Sequence, residues 1–353
     1  MYPDWLSLTG KGYVASMYKQ YGKVISPMGC RAFLSPWYER GGMYPADEKD
    51  TPVFVGRFNI GAVSLHLPMI LAKARAESRD FYEVLDFYLQ MIRNLHIRTY
   101  EYLGQMRAST NPLAYCEGGF YGGHLKPNEK IGKILKPMTA SFGITALNEL
   151  QELYNGKSIR EDGQFALEVL KYINDKVNQF KQEDGYLYAI YGTPAESLCY
   201  RFAEIDKKRF GEIEDVTDKG YYTNSYHVDV REKIDAFSKF EFEAQFQVIS
   251  SGGAISYVEV PNMQNNLPAL EEVVKYIYEH IQYAEFNTKS DYCHVCGYDG
   301  EIIINDNLEW ECPNCGNKDH DKMNVTRRTC GYLGENFWNV GKTKEINARV
   351  LHL

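Results

Sequence analysis

The 353-residue sequence has no apolar run long enough to cross a membrane. Its start lacks the basic-then-apolar pattern of a secretory signal. Both absences point to a cytoplasmic protein with no membrane partner. Positive charge is also in short supply, with 39 Lys and Arg against 47 Asp and Glu and a formal charge of −8. Sequence-independent nucleic-acid binding needs many phosphate-neutralising cations, so no nucleic-acid partner is expected. Low-complexity tracts and strong internal repeats are missing, which excludes solenoids. Eight cysteines are too few for a disulfide scaffold in a chain of this size.

What remains is the composition of a folded protein, 44% hydrophobic and 24% charged, long enough for one large α/β domain or two ordinary ones. The first sixty residues are rich in turns, and a long irregular stretch inside a folded domain is usually functional. Helical periodicity runs from Met69 to about Gln105, and a helix-rich block follows from about Met138 to the stop signal Asp184-Gly185. YLYAIY then reads as a strand. Thr193 reads as a helix N-cap, with Pro194 at the first helical position and Glu196 completing a capping box. LPALEEVVKYIYEHI is an amphipathic helix feeding the strand YAEFN. This alternation implies an α/β domain with a largely parallel sheet. Basic residues gather late (Lys322, Arg327, Arg328, Lys342, Lys344, Arg349), and a solvated face is the expected reading of that cluster.

From about Lys289 the texture changes. Cys293-x2-Cys296-x15-Cys312-x2-Cys315 has the spacing of a four-thiolate zinc site, and EIIIND with LEWEC forms a hairpin that joins two knuckles. Gly297 and Gly316, each after a second cysteine, supply the sharp turns. Four thiolates close the coordination shell, so the expected Zn2+ is structural and clamps the adjoining tail. Residues 289–322 form this ribbon and residues 323–353 the tail.

The tail carries Arg328-Thr329-Cys330-Gly331-Tyr332-Leu333 directly after the four-cysteine module. That arrangement resembles the C-terminus of the anaerobic (class III) ribonucleotide reductases. Pro27-Met28-Gly29-Cys30-Arg31 resembles the family's finger loop, and Gly56-Arg57-Phe58-Asn59-x-Gly61-Ala62-Val63-Ser64-Leu65 a second active-site block. The resemblance implies a glycyl radical at Gly331, a thiyl radical at Cys30 and an active-site role for Asn59. Glycine suits the first task because a planar α-carbon radical needs a residue without a side chain. It further implies a ribonucleotide substrate and a radical-SAM activating enzyme that holds S-adenosylmethionine and an iron–sulfur cluster. Met28 with Asn59 points to formate as reductant. Thr193, Ala195, Glu196, Ser197, Asn224, Gly252 and Gly253 lie in segments similar to the family's and are candidate substrate-binding residues. Capping and turn chemistry explain the same residues on physical grounds alone.

The implied fold is the second half of a ten-stranded α/β barrel, residues 1–288 with a finger loop around 26–36, followed by the ribbon and the radical loop. Complete family members are about twice as long and begin with a nucleotide-binding regulatory region and a first half-barrel. The chain is therefore expected to be a C-terminal fragment or one piece of a split enzyme. It would be inactive without the N-terminal half, and the complete enzyme would be a homodimer. Two rivals stand beside this reading: another glycyl radical enzyme of the pyruvate formate-lyase kind, and a non-enzymatic zinc-ribbon scaffold in which Gly331 is a turn.

Overall fold

The computed structural model describes residues 7–9, 18–19, 22, 31–289, 291–329, 333–334 and 339–353. Met28, Cys30 and Gly331 lie outside the described residues. So does the first part of the expected finger loop.

A parallel sheet is built from β2 (Asn59–Ser64), β3 (Thr139–Ile144) and β4 (Leu187–Gly192), in the order β2-β3-β4. Helices α1 (Leu67–Ala76), α2 (Phe81–Gly104), α3 (Leu147–Asn155) and α4 (Gln164–Asp184) supply the crossovers that parallel strands require. The helical region expected from Met69 is thus two helices. Asp80 starts the second, its side chain accepting from the Glu83 N–H. The helix-rich block expected from Met138 opens instead with β3, whose six residues are all buried. Gly185 ends α4 in the left-handed conformation, as the stop signal predicts.

One face of this sheet is apolar. Ala140, Phe142, Ile144, Tyr188 and Ile190 pack with Leu85, Leu89, Val169 and Ile173 of α2 and α4 in the main core. Each Val, Leu, Ile or Phe among them contributes roughly 1.5–3 kcal/mol by leaving water. On the other face β3 itself presents small and polar residues, because side chains alternate across a strand and Thr139, Ser141 and Gly143 point the opposite way.

A second sheet holds β5 (Ser256–Val260) parallel to β6 (Tyr283–Thr288), with β1 (Ser7–Thr9) antiparallel on the far edge of β6. α6 (Ala236–Ile249) and α7 (Leu267–His280) cover it through Phe240, Val273 and Ile277. α5 (Glu196–Phe210) follows β4. The two sheets meet where the Gly252 N–H donates to Ile190 O and the Gly192 N–H donates to Gly253 O.

The four-cysteine segment has a small core of its own, with Cys293, Ile302, Trp310, Cys312, Met323 and Val325 buried together. Its strands are β7 (Asp291–Cys293), β8 (Asp299–Gly300), β9 (Ile303–Ile304), β10 (Trp310–Glu311) and β11 (Met323–Asn324). The expected hairpin is β9 paired with β10. β12 (Arg327–Arg328) then pairs antiparallel with β13 (Leu333–Gly334), and α8 (Val340–Ala348) closes the chain against α5. Among the described residues no helix is long and apolar enough to cross a membrane.

Candidate active site

Asn59 begins β2 at the polar face, and its side-chain amide donates to Ser141 Oγ at 2.5 Å. At the other end of the strand Ser64 Oγ donates to Thr193 Oγ1 at 3.1 Å, across the intervening strand β3. Gly143 makes that meeting possible, since a Cβ there would sit 2.1 Å from Thr193 Oγ1 and 2.7 Å from Ser64 Oγ. The sheet therefore offers an amide and three hydroxyls along one polar row.

Thr193 does not cap α5 as the sequence suggests. Its hydroxyl faces Ser64 and the Tyr191 carbonyl, and the N-cap is Ala195, with no side-chain cap of its own. Asn224 does that work from a distant loop, its Oδ1 accepting from the Ala195 N–H at 2.9 Å. Glu196 opens the helix, and Ser197 stands exposed on its first turn. The stretch 223–225 is pinned along β3 and α3: the Ala146 N–H donates to Thr223 O, the Leu147 N–H to Ser225 O, and the Thr223 hydroxyl to Glu149.

Ser251-Gly252-Gly253 is more than a turn. Gly253 has φ +118°, and a Cβ on it would lie 1.9 Å from the Arg31 carbonyl oxygen. The Phe33 N–H donates to Gly252 O at 3.0 Å, so residues 31–33 rest directly on the diglycine backbone. Arg31 is fully buried; its guanidinium donates to the Tyr257 hydroxyl and, at 3.4 Å, to Gly192 O. Tyr257 and Thr329 both line one cavity of about 50 Å3, with Asn224, His227, Arg328, Arg349 and others. Burial holds the His227 imidazole below its ordinary pKa despite the nearby Glu243 carboxylate, so it is neutral at pH 7.

The late basic cluster is mostly not a solvated face. Arg327 forms a two-pronged pair with Asp291, both oxygens at 2.6 Å, and lies over the Trp310 ring. Arg328 pairs with Glu285 at 2.6 Å, Lys342 with Glu345 at 2.9 Å, and Arg349 with Glu345 and Glu259. All four cationic side chains are 6% exposed or less. Only Lys322 and Lys344 face solvent. Asp291, Glu285 and Glu259 lie 36 to 90 positions from their cations, beyond the reach of local charge patterns, whereas the Glu345 pairs are local.

The four ribbon cysteines converge, with their Sγ atoms all within 4.8 Å of one another. Two of the separations are 3.8 and 3.7 Å. A tetrahedral ion with bonds of about 2.3 Å requires edges of about 3.8 Å. Gly297 and Gly316 take φ +72° and +71°, as the knuckle turns demand. Burial opposes ionisation of Cys293, but backbone N–H groups of Cys296 and Val295 outweigh it and bring the thiol to about 6, while Cys315 is pushed up to about 12. Four thiolates this close coexist only when a cation shares them, so the residues fit a metal ion.

Arg31, Ser64, Ser141, Tyr257 and Arg349 stand against the candidate residues in the structure, and the sequence analysis assigns none of them a site role. Arg31 and Ser64 stand in the two family-like motifs, and their motif positions are the available signal. Ser141 and Tyr257 carry none, since each matters only through a partner distant in sequence.

The chain matches the family model described as anaerobic ribonucleoside-triphosphate reductase over residues 1–352. Relatives of that name from Haemophilus influenzae and Escherichia coli are 39% and 37% identical over 362 residues, covering all of this chain and 49% of each relative. The relative from Enterobacteria phage T4 is 37% identical over 361 residues, 56% of its length. The chain thus spans about half the length of the curated relatives it matches. Among solved structures, an anaerobic ribonucleotide reductase aligns with TM-score 0.61 at 20% identity, covering 82% of this chain and 44% of that one. The Thermotoga maritima anaerobic ribonucleotide reductase in complex with dATP and CTP aligns with TM-score 0.56 at 20% identity, over 79% and 45%.

Proposed function

The chain belongs to the anaerobic ribonucleoside-triphosphate reductase family, and from that premise we propose that it carries the radical half of ribonucleotide reduction. Gly331 stores the radical after a radical-SAM activating enzyme, with its S-adenosylmethionine and iron–sulfur cluster, removes an α-hydrogen. On substrate binding the spin passes to Cys30, whose thiyl takes the ribose 3′ hydrogen. The 2′ hydroxyl leaves as water with one proton taken up. Formate supplies the two electrons and is oxidised to carbon dioxide, and the 3′ hydrogen returns from Cys30. Asn59, held by Ser141, orients reactants, and the occurrence of Met28 together with Asn59 in the sequence is the formate-using pattern. Thr193, Ala195, Glu196, Ser197, Asn224, Gly252 and Gly253 form the substrate-binding rim. Zn2+ held by Cys293, Cys296, Cys312 and Cys315 supplies a closed structural clamp.

One observation carries this reading. Arg31 follows Cys30 directly and donates to the Tyr257 hydroxyl, and Thr329, which precedes Gly331 by two residues, lines the same small cavity as Tyr257. The two motifs are separated by about three hundred positions in sequence, yet their described flanks share one small region.

β2, β3 and β4, parallel in one sheet, and β5 and β6, parallel in the other, are the five strands of the proposed half-barrel, in residues 1–288. The remaining half of the full-length protein covers what these strands leave bare. Among the described residues β2 is a sheet edge with Gly61 and Ala62 exposed, and Phe87, Met91 and Leu95 form an exposed stripe one helical turn apart on α2. The isolated chain is inactive for that reason, and the complete enzyme is a cytoplasmic homodimer. A monodisperse, active preparation of this polypeptide alone would refute this part.

The decisive test is electron paramagnetic resonance on anaerobically activated protein assembled with its N-terminal half. A glycine-type doublet that vanishes in Gly331→Ala supports the reading. No signal after competent activation leaves a metal-ribbon scaffold.

A further inference from the structure

We propose that Arg349 and His352 are positioning residues for the radical reaction, a proposal that rests on the reading above. Together they fasten the strand that leads into Gly331 to the edge of β5. Arg349 Nη2 donates to the Thr329 carbonyl at 3.4 Å, the last described backbone group before Cys330-Gly331. That contact is long, but the guanidinium has little freedom to leave it. Its Nε and Nη2 bind the two Glu345 oxygens at 2.9 and 3.1 Å, and Nη1 lies 3.4 Å from Glu259.

His352 fixes the other end. The Glu259 N–H donates to His352 Nδ1 at 2.8 Å, and the His352 N–H returns a bond to Glu259 O at 2.9 Å. Its carbonyl accepts from the Ala236 N–H at the start of α6. Upstream, α8 is seated by Gly341, where a Cβ would lie 2.6 Å from Tyr200 and 2.7 Å from Gly220 O. The last residues therefore form a strap with rigid ends, and Arg349 is its contact with the radical strand. Hydrogen transfer depends steeply on the placement of donor and acceptor, so a small displacement costs turnover long before it costs folding.

The test separates radical storage from radical use, in the enzyme assembled from both halves and activated anaerobically. Arg349→Lys keeps the charge and loses the planar fork. The expected result is a glycine doublet of near wild-type amplitude with turnover per radical reduced about ten-fold or more. Unchanged turnover per radical overturns the proposal. Should Arg349→Lys hold no radical, His352→Ala is measured the same way, since it removes the side-chain half of the β5 clip and leaves every buried charge paired. A fall in its turnover per radical supports the inference, and an unchanged ratio overturns it. A wild-type protein without any doublet overturns the underlying reading, and the inference with it. A wild-type doublet with unchanged variant ratios overturns the inference alone.

Discussion

Two stretches approach the candidate site, and they are fastened by different physics. Residues 31–33 lie on Gly252-Gly253 by steric fit, backbone on backbone, with no room for a methyl group. Residues 327–329 are fastened by charge, through Asp291, Glu285 and the Arg349 strap. A steric seat does not respond to pH or salt. A seat made of buried ion pairs is costly to break from one side, because the partner left behind is an unpaired charge in a poor solvent. It also has discrete parts that can be released. On the proposed mechanism this difference is useful: the thiyl side must stay put, whereas the glycyl side must reach a second enzyme.

The sharpest way to break the comparison is Gly253→Ala. At φ +118° a side chain is strained whatever the space, and its Cβ would meet the Arg31 carbonyl. The expected loss exceeds about 3 kcal/mol, or residues 31–33 unseat and turnover is abolished. Denaturant unfolding and turnover are measured together. A variant with both unchanged would show that the fit is not tight.

On the charged side the largest effect belongs to Asp291→Asn. It keeps the shape but leaves Arg327, 5% exposed, without its counter-charge. The expected loss is about 3 kcal/mol, confined to the ribbon and tail. Metal release into a chromophoric chelator should begin at lower denaturant concentration than in the wild type. An unchanged release midpoint would place the ribbon's stability in the thiolate cluster alone.

How much of this could be read beforehand depended on how far apart the partners were. The four-cysteine spacing and its two glycines were legible because a metal knuckle is a local object. The Gly185 stop and the α7–β6 pair were legible for the same reason. β3 was hidden inside a helical block because TASFGI is short and buried on both faces, so it shows no period to set it apart from a buried helix. The basic cluster was misjudged because the carboxylates that bury it come from β5, β6, β7 and α8. The roles of Cys30 and Gly331 came from motif resemblance and not from spacing or charge.

His352 sharpens the contrast through pH. Burial, with Lys239 and Arg349 nearby, lowers its pKa to about 3 against the attraction of Glu243 and Asp235. Its Nδ1 must be unprotonated to accept from the Glu259 N–H. The unfolded state binds the proton near its ordinary value of about 6.5, so the stabilisation is complete above that pH and is lost progressively toward 3. Between pH 6.5 and 5 the strap should lose up to about 2 kcal/mol. Lower hydrogen-exchange protection at Val350, His352 and Ala236, after correction for the slower intrinsic exchange at acid pH, would report it. His96, brought to about 4 by burial, and His227 shift overall stability in the same direction. The informative quantity is therefore the difference from His352→Gln, in which the local slope should flatten. Residues 31–33 should show no comparable change.

The smallest expected effect separates a local cap from a distant one at the start of α5. If Asn224 closes that helix, Asn224→Ala leaves the Ala195 N–H without an acceptor in a buried place and costs about 1–2 kcal/mol. Thr193→Ala should spare the helix terminus, since its hydroxyl is spent on Ser64 and Tyr191 across the sheet. Its cost should be the smaller, about 0.5–1.5 kcal/mol for a single side-chain hydrogen bond. Equilibrium unfolding of the two variants tests the order. The reverse order would restore the capping box that the sequence suggests and detach Asn224 from the helix, leaving its amide free for a ligand instead.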